Sequence, residues 1–193
     1  MRGELTHEQC DEVKKRVVEM FEECEIHSYP IDPFDIASKL HYILVPYSSL
    51  SAEGLMKALE VSDDAFSQLE FLEVIGMYRY VVYYNDRPSP GRIRWTLSHE
   101  IGHCYLGHHE HLDDGMAKTE EAEANLFAKY TLAPPPLIHE LQLASPADVA
   151  RIFDMTDDAA YYSFSYYRKW LRFGPREYTD FEIQLLHMFH MAA

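Results

Sequence analysis

Residues 92–105 constrain the fold of this chain more than any other stretch. Ile93, Leu97, Ile101 and Tyr105 recur every fourth position, which is the spacing of one helix face, so a helix here carries an apolar stripe to bury. His99 and His103 lie four residues apart on the same helix, with Glu100 beside the first. Positions i and i+4 share a face, so both imidazoles can point at one ion while the carboxylate reaches toward water next to it. The pair is thereby anchored on a buried element.

Residues 99–103 read His-Glu-Ile-Gly-His, the HExxH pattern. Two histidines at this spacing suit Zn²⁺, with the glutamate as the base that activates water. Gly102 permits close approach by a neighbouring element. The third ligand has two sources. His109 falls at the third histidine of HExxHxxGxxH, but Leu106 occupies the glycine position and Gly107 comes one residue late; the tight turn depends on that glycine. The other source is Glu120-Glu121-Ala122-Glu123-Ala124-Asn125, on a following helix, where a carboxylate completes a His₂Glu site. Asn125 lies one helical turn after Glu121, so it can hydrogen-bond a ligand from behind.

The rest of the chain reads as mixed α and β. Thr6 and Gln9 open a helix over 6–26, and Asp32-Pro33 starts a short one through Leu40. Residues 41–47 and 74–84 are β-branched and aromatic, so both are expected as strands of a small sheet flanking the metal helix, with Gly76 at a bulge or turn. Ala52 to Leu59 and Asp63 to Leu72 both look helical. A turn-rich stretch, Asn85 to Gly91, hands over to the metal helix near Arg92, and a His- and acid-rich loop at 107–115 follows it. A helix over 117–132 ends at Pro134-Pro135-Pro136. Segments 136–142, 146–153, 157–171 and 179–190 make the C-terminal third helical. A division at 136 into a core with an N-terminal helix, 1–136, and a helical region packed on it, 137–193, is expected.

Charge and cysteine usage narrow the partners. Seventeen basic against thirty-two acidic residues leave a net charge of −15, which disfavours phosphate backbones and anionic membranes. Residues 146–160 have a helix-turn-helix rhythm, but the second helix opens on Asp157, Asp158 and tyrosines, so neither DNA contact nor membrane binding is expected. The N-terminus lacks a signal peptide's apolar core, and Cys10, Cys24 and Cys104 are odd in number and widely spaced. A cytoplasmic protein is expected.

Two blocks of the sequence, Arg92-Ile93-Arg94-Trp95-Thr96-Leu97-Ser98-His99-Glu100-Ile101-Gly102-His103 and Glu121-Ala122-Glu123-Ala124-Asn125-Leu126-Phe127-Ala128-Lys129-Tyr130-Thr131-Leu132-Ala133-Pro134, resemble the ImmA/IrrE family of metallopeptidases in content and order. Pro30 to Ala37 is similar to the segment that precedes them in that family. Residues 51–73 look longer and more acidic than the family pattern. The resemblance implies a zincin-like α+β peptidase core, zinc on His99, His103 and Glu121, and Glu100 as catalytic base. It also implies a narrow substrate, a helix-turn-helix repressor of a phage, mobile element or stress response. The alternative is a zinc-bearing protein that binds such a regulator without cutting it. Tyr105, His108, His109, Tyr130 and Tyr162 are available as oxyanion donors, and the sequence does not choose among them.

Overall fold

Capping chemistry sets where the helices begin. On α1 (His7–Glu23), Thr6 and Gln9 form a reciprocal capping box at 3.0 and 3.2 Å. On α2 (Pro33–Lys39), the Asp32 carboxylate accepts from Phe34 N–H at 2.9 Å and Pro33 fills the first turn. The computed structural model describes residues 5–74, 76–110, 117–174 and 176–191.

Three strands form one sheet: β1 (Ile43–Pro46), β2 (Ala65–Leu72) and β3 (Met77–Tyr84), in the order β1-β3-β2. β1 runs parallel to β3, pairing Ile43 with Val81, and β2 runs antiparallel, pairing Ala65 with Tyr84 and Leu72 with Met77. Gly76 closes the hairpin at φ +65°, a conformation that favours glycine. Between β1 and β2 lies α3 (Ala52–Val61), capped by Ser51. The helix expected over Asp63 to Leu72 is thus corrected to strand. Phe66, Leu69 and Leu72 sit three apart and imitate a helical stripe, yet pairing along the whole of β3 satisfies the backbone as a strand.

The sheet supports α4 (Pro90–Tyr105), which begins at Pro90 rather than near Arg92 because proline suits the first helical turn. α4 crosses α5 (Ala117–Leu132) closely. A Cβ added at Gly102 would lie 3.1 Å from the Phe127 ring, so the small residue sets the distance between these helices. Phe127, Tyr130 and Ile101 are buried in a core that also takes Val17 and Phe21 from α1. Each such side chain contributes about 1.5–3 kcal/mol by burial. His108–Glu110 form a 3₁₀ turn after α4, and residues 111–115 of the expected 107–115 loop lie outside the described residues.

The proline run ends α5 and immediately starts α6 (Pro135–Glu140), followed by α7 (Pro146–Phe153), α8 (Asp157–Phe173) and α9 (Asp180–Met188). Val149, Phe153, Leu185 and Leu186 belong to the same buried cluster as α1 and α5. The turn between α7 and α8 is fastened to α4 by Arg94. Its guanidinium donates to the Asp154 carbonyl (2.5 Å), the Asp154 carboxylate (2.9 Å) and the Ile31 carbonyl (2.6 Å). Gly91 allows the contact: a Cβ there would sit 2.8 Å from Thr156 Cγ2. No helix among the described residues is long and apolar enough to cross a membrane.

Candidate active site

α4 presents His99 and His103 on one face and the crossing α5 presents Glu121 opposite them. The two histidine Nε2 atoms are 3.1 Å apart. Glu121 Oε2 lies 3.5 Å from His99 Nε2 and Oε1 lies 3.3 Å from His103 Nε2. These three side chains form a group able to hold a metal ion. Donors arranged tetrahedrally about 2.0–2.1 Å from one zinc ion stand about 3.3 Å from each other, so the spacing fits that ion. Burial lowers the pKa of both rings, that of His103 to about 3, with the charges of His99, His108 and His109 adding to the effect. Neutral imidazoles are the form that offers lone pairs to a metal.

The groups behind the two rings are polar and specific. His103 Nδ1 meets His108 Nδ1 at 2.9 Å, and His108 Nε2 meets Glu123 Oε2 at 3.2 Å. One assignment of protons serves this chain: His108 donates from Nε2 to the carboxylate and accepts at Nδ1 from His103, which leaves the lone pair of His103 Nε2 facing the cluster. Glu123, an alternative third ligand by sequence, is therefore engaged with His108. Asn125 hydrogen-bonds the His99 ring, and its Nδ2 donates to the Glu121 carbonyl at 2.7 Å. His108 and Glu123 take part through folding that brings the 3₁₀ turn beneath α5; no spacing rule in the sequence pairs them.

Glu100 is only 8% exposed, and burial raises its carboxyl pKa to about 7. Ser67 Oγ, on β2, donates to Glu100 Oε2 at 2.7 Å and lies 3.0 Å from His109 Nε2. The serine has one proton to give, so His109 donates to it from Nε2. His109 is thus committed to Ser67 and stands outside the three-residue cluster. Ser67 went unseen because β2 reads as a helix. Of the other donors considered from sequence, Tyr105 gives its hydroxyl to Glu23 at 3.1 Å and Tyr130 is fully buried. Tyr162 lines the cleft in front of the cluster.

That cleft holds about 960 Å³. His99, Glu100 and Glu121 lie in its wall, with Trp95 and Thr96 further along α4 and Asp158 and Tyr162 from the first turns of α8. Of the stretch with helix-turn-helix rhythm, 146–160, Thr156, Asp158 and Ala159 thus form part of the cleft wall.

Fold and site together define a class: a mixed α+β protein with a His-His-Glu cluster, able to hold a metal, in an open groove. A family model described as Peptidase M78, the IrrE N-terminal-like domain, matches residues 43–166, from the start of β1 into α8. The chain belongs to this family, the ImmA/IrrE metallopeptidases. Comparison with curated proteins gives no match.

Proposed function

We propose that the chain is a zinc-dependent endopeptidase in which His99, His103 and Glu121 hold the metal and Glu100 is the general base. The observation that carries this reading is the position of Glu100, a buried carboxyl opening on the same cleft as the ligand cluster. A site kept for structure needs no such group beside it. Bound zinc would supply Lewis acidity that polarises the scissile carbonyl and acidifies water. Ser67 holds Glu100 Oε2, leaving Oε1 to take the proton of the attacking water. Glu100 then delivers that proton to the leaving amine, acting first as base and then as acid. Behind the ligands, Glu123 and His108 fix the tautomer of His103, and Asn125 orients His99.

Family likeness and the size of the cleft support a folded-protein or peptide substrate, and we take it to be a helix-turn-helix regulator of a phage, mobile element or stress response. Three unpaired cysteines support a cytoplasmic setting. In this reading residues 1–136 are the peptidase core and 137–193 a helical region packed on it, with α8 contributing a wall of the cleft. The test is Glu100→Gln. Zinc content is expected to stay at one per chain while cleavage of a helix-turn-helix repressor, or of a denatured protein substrate, drops by about 10²–10⁴-fold. Undiminished cleavage by this variant would contradict the assignment.

A further inference from the structure

Glu121, Asn125 and Lys129 follow one another at four-residue intervals on α5, so they share a face. All three line the cleft. The first two belong to the ligand cluster and its support; the third has no part in it.

Two long basic side chains, Arg92 and Lys129, line this cleft in a chain of net charge −15. Arg92 is already neutralised, since its Nη2 lies 2.7 and 2.9 Å from the two oxygens of Asp64. Lys129 is different. Its Nζ lies 5.3 Å from the centre of the Tyr166 ring, a cation–π contact that places the ammonium between α5 and α8. Among the described residues, no carboxylate lies within 4.0 Å of it, Glu121 and Asp158 of the same cleft included. A lysine set for solubility extends into water beside acidic neighbours. This one is half-buried, and Lys169 is the charge that it feels. A half-buried ammonium without a counter-ion is costly, and an anion arriving in the groove removes that cost.

The distance fixes the register. Eight residues of helix at about 1.5 Å each separate Lys129 from Glu121 by about 12 Å along α5. An extended peptide advances about 3.3 Å per residue, so this interval spans about three to four residues. We propose that Lys129 is a substrate-recognition residue that binds the carboxylate of a glutamate or aspartate side chain, about three to four residues from the bond that is cut. The proposal rests on the peptidase reading for the position of that bond, and on the cleft alone for the binding of the acidic side chain.

The experiment uses the zinc-loaded full chain and acetylated, amidated peptides in which one glutamate is walked along a neutral scaffold, each with a glutamine control. Products are located by mass spectrometry. The wild-type chain is expected to favour glutamate over glutamine by about five- to tenfold at one position, three to four residues from the cut. Lys129→Gln should abolish that preference, and Lys129→Glu should reverse it in favour of a lysine peptide at the same position. A role for Lys129 in packing alone cannot produce the reversal. Parity at every position in the wild type, or a preference that survives in Lys129→Gln, overturns the proposal. The same peptides are also bound to the zinc-loaded Glu100→Gln chain and followed by fluorescence anisotropy. Tighter binding of glutamate peptides that depends on Lys129, with no peptide cut by the wild type, upholds the subsite and overturns the peptidase reading. Cleavage without any glutamate preference does the opposite, and equal binding of glutamate and glutamine peptides overturns the subsite whatever the cleavage result.

Discussion

Arg94→Met should destabilise the fold without emptying the metal site. Arg94 is 9% exposed, and its guanidinium bonds three acceptors from two distant segments, the Ile31 carbonyl and the carbonyl and carboxylate of Asp154. Methionine keeps most of the stem's packing and removes all three donors. The Asp154 carboxylate is 75% exposed, so its ion pair contributes little. The Ile31 carbonyl matters more: its bond is buried, and a buried acceptor left without a donor costs about 1–3 kcal/mol; the part-buried Asp154 carbonyl adds a smaller share, giving about 3 kcal/mol in all. For a chain of this length, about 2–4 °C per kcal/mol places the loss at about 6–12 °C in Tm. Circular dichroism melts in excess chelator isolate the fold from metal linkage, and elemental analysis without chelator should still find one zinc per chain. Arg94→Lys, which keeps the charge but not the fork of donors, should fall between the two. A Tm within about 1 °C of wild type for Arg94→Met would refute the reasoning.

Two further outcomes follow from the groups behind the site. Ser67→Ala removes the donor that holds Glu100 Oε2 and should lower kcat about tenfold with zinc content unchanged, as steady-state kinetics and elemental analysis will show; a loss of zinc would mean that Ser67 serves the ligands instead. His108→Ala breaks the chain from Glu123 to His103 and should weaken zinc binding about 10–100-fold in a chelator titration, and an unchanged affinity would contradict the tautomer argument.

Local sequence carries most of the helices and the ligand-bearing face of α4, because capping residues and four-residue spacing act within one element. The 117–132 helix is legible for that reason, as are α7 and α8, whose first turns are capped by the side chains of Ser145 and Thr156. β2 is not. Gln68, Leu69 and Glu70 favour helix, and what makes them strand is pairing with Val81, Tyr80 and Arg79 in turn across the hairpin. With β2 unread, Ser67 and its bond to Glu100 were out of reach. The hydrogen-bond chain through His108 and Glu123, and the contact of Lys129 with the Tyr166 ring, likewise arise from contacts between elements. The candidates for a third ligand show the boundary well: helical spacing ranks the residues of the 120–125 run, whereas the 3.0 Å contact that engages His109 with Ser67 arises only in the fold.

The central claim is that α5 supplies the third ligand as a carboxylate, at the meeting of His99, His103 and Glu121. Zinc affinity measured by chelator competition on Glu121→Gln and His109→Ala tests it directly. Glu121→Gln is expected to lose affinity steeply while His109→Ala stays near wild type. Loss of the metal in the His109 variant, with retention in the Glu121 variant, would contradict it.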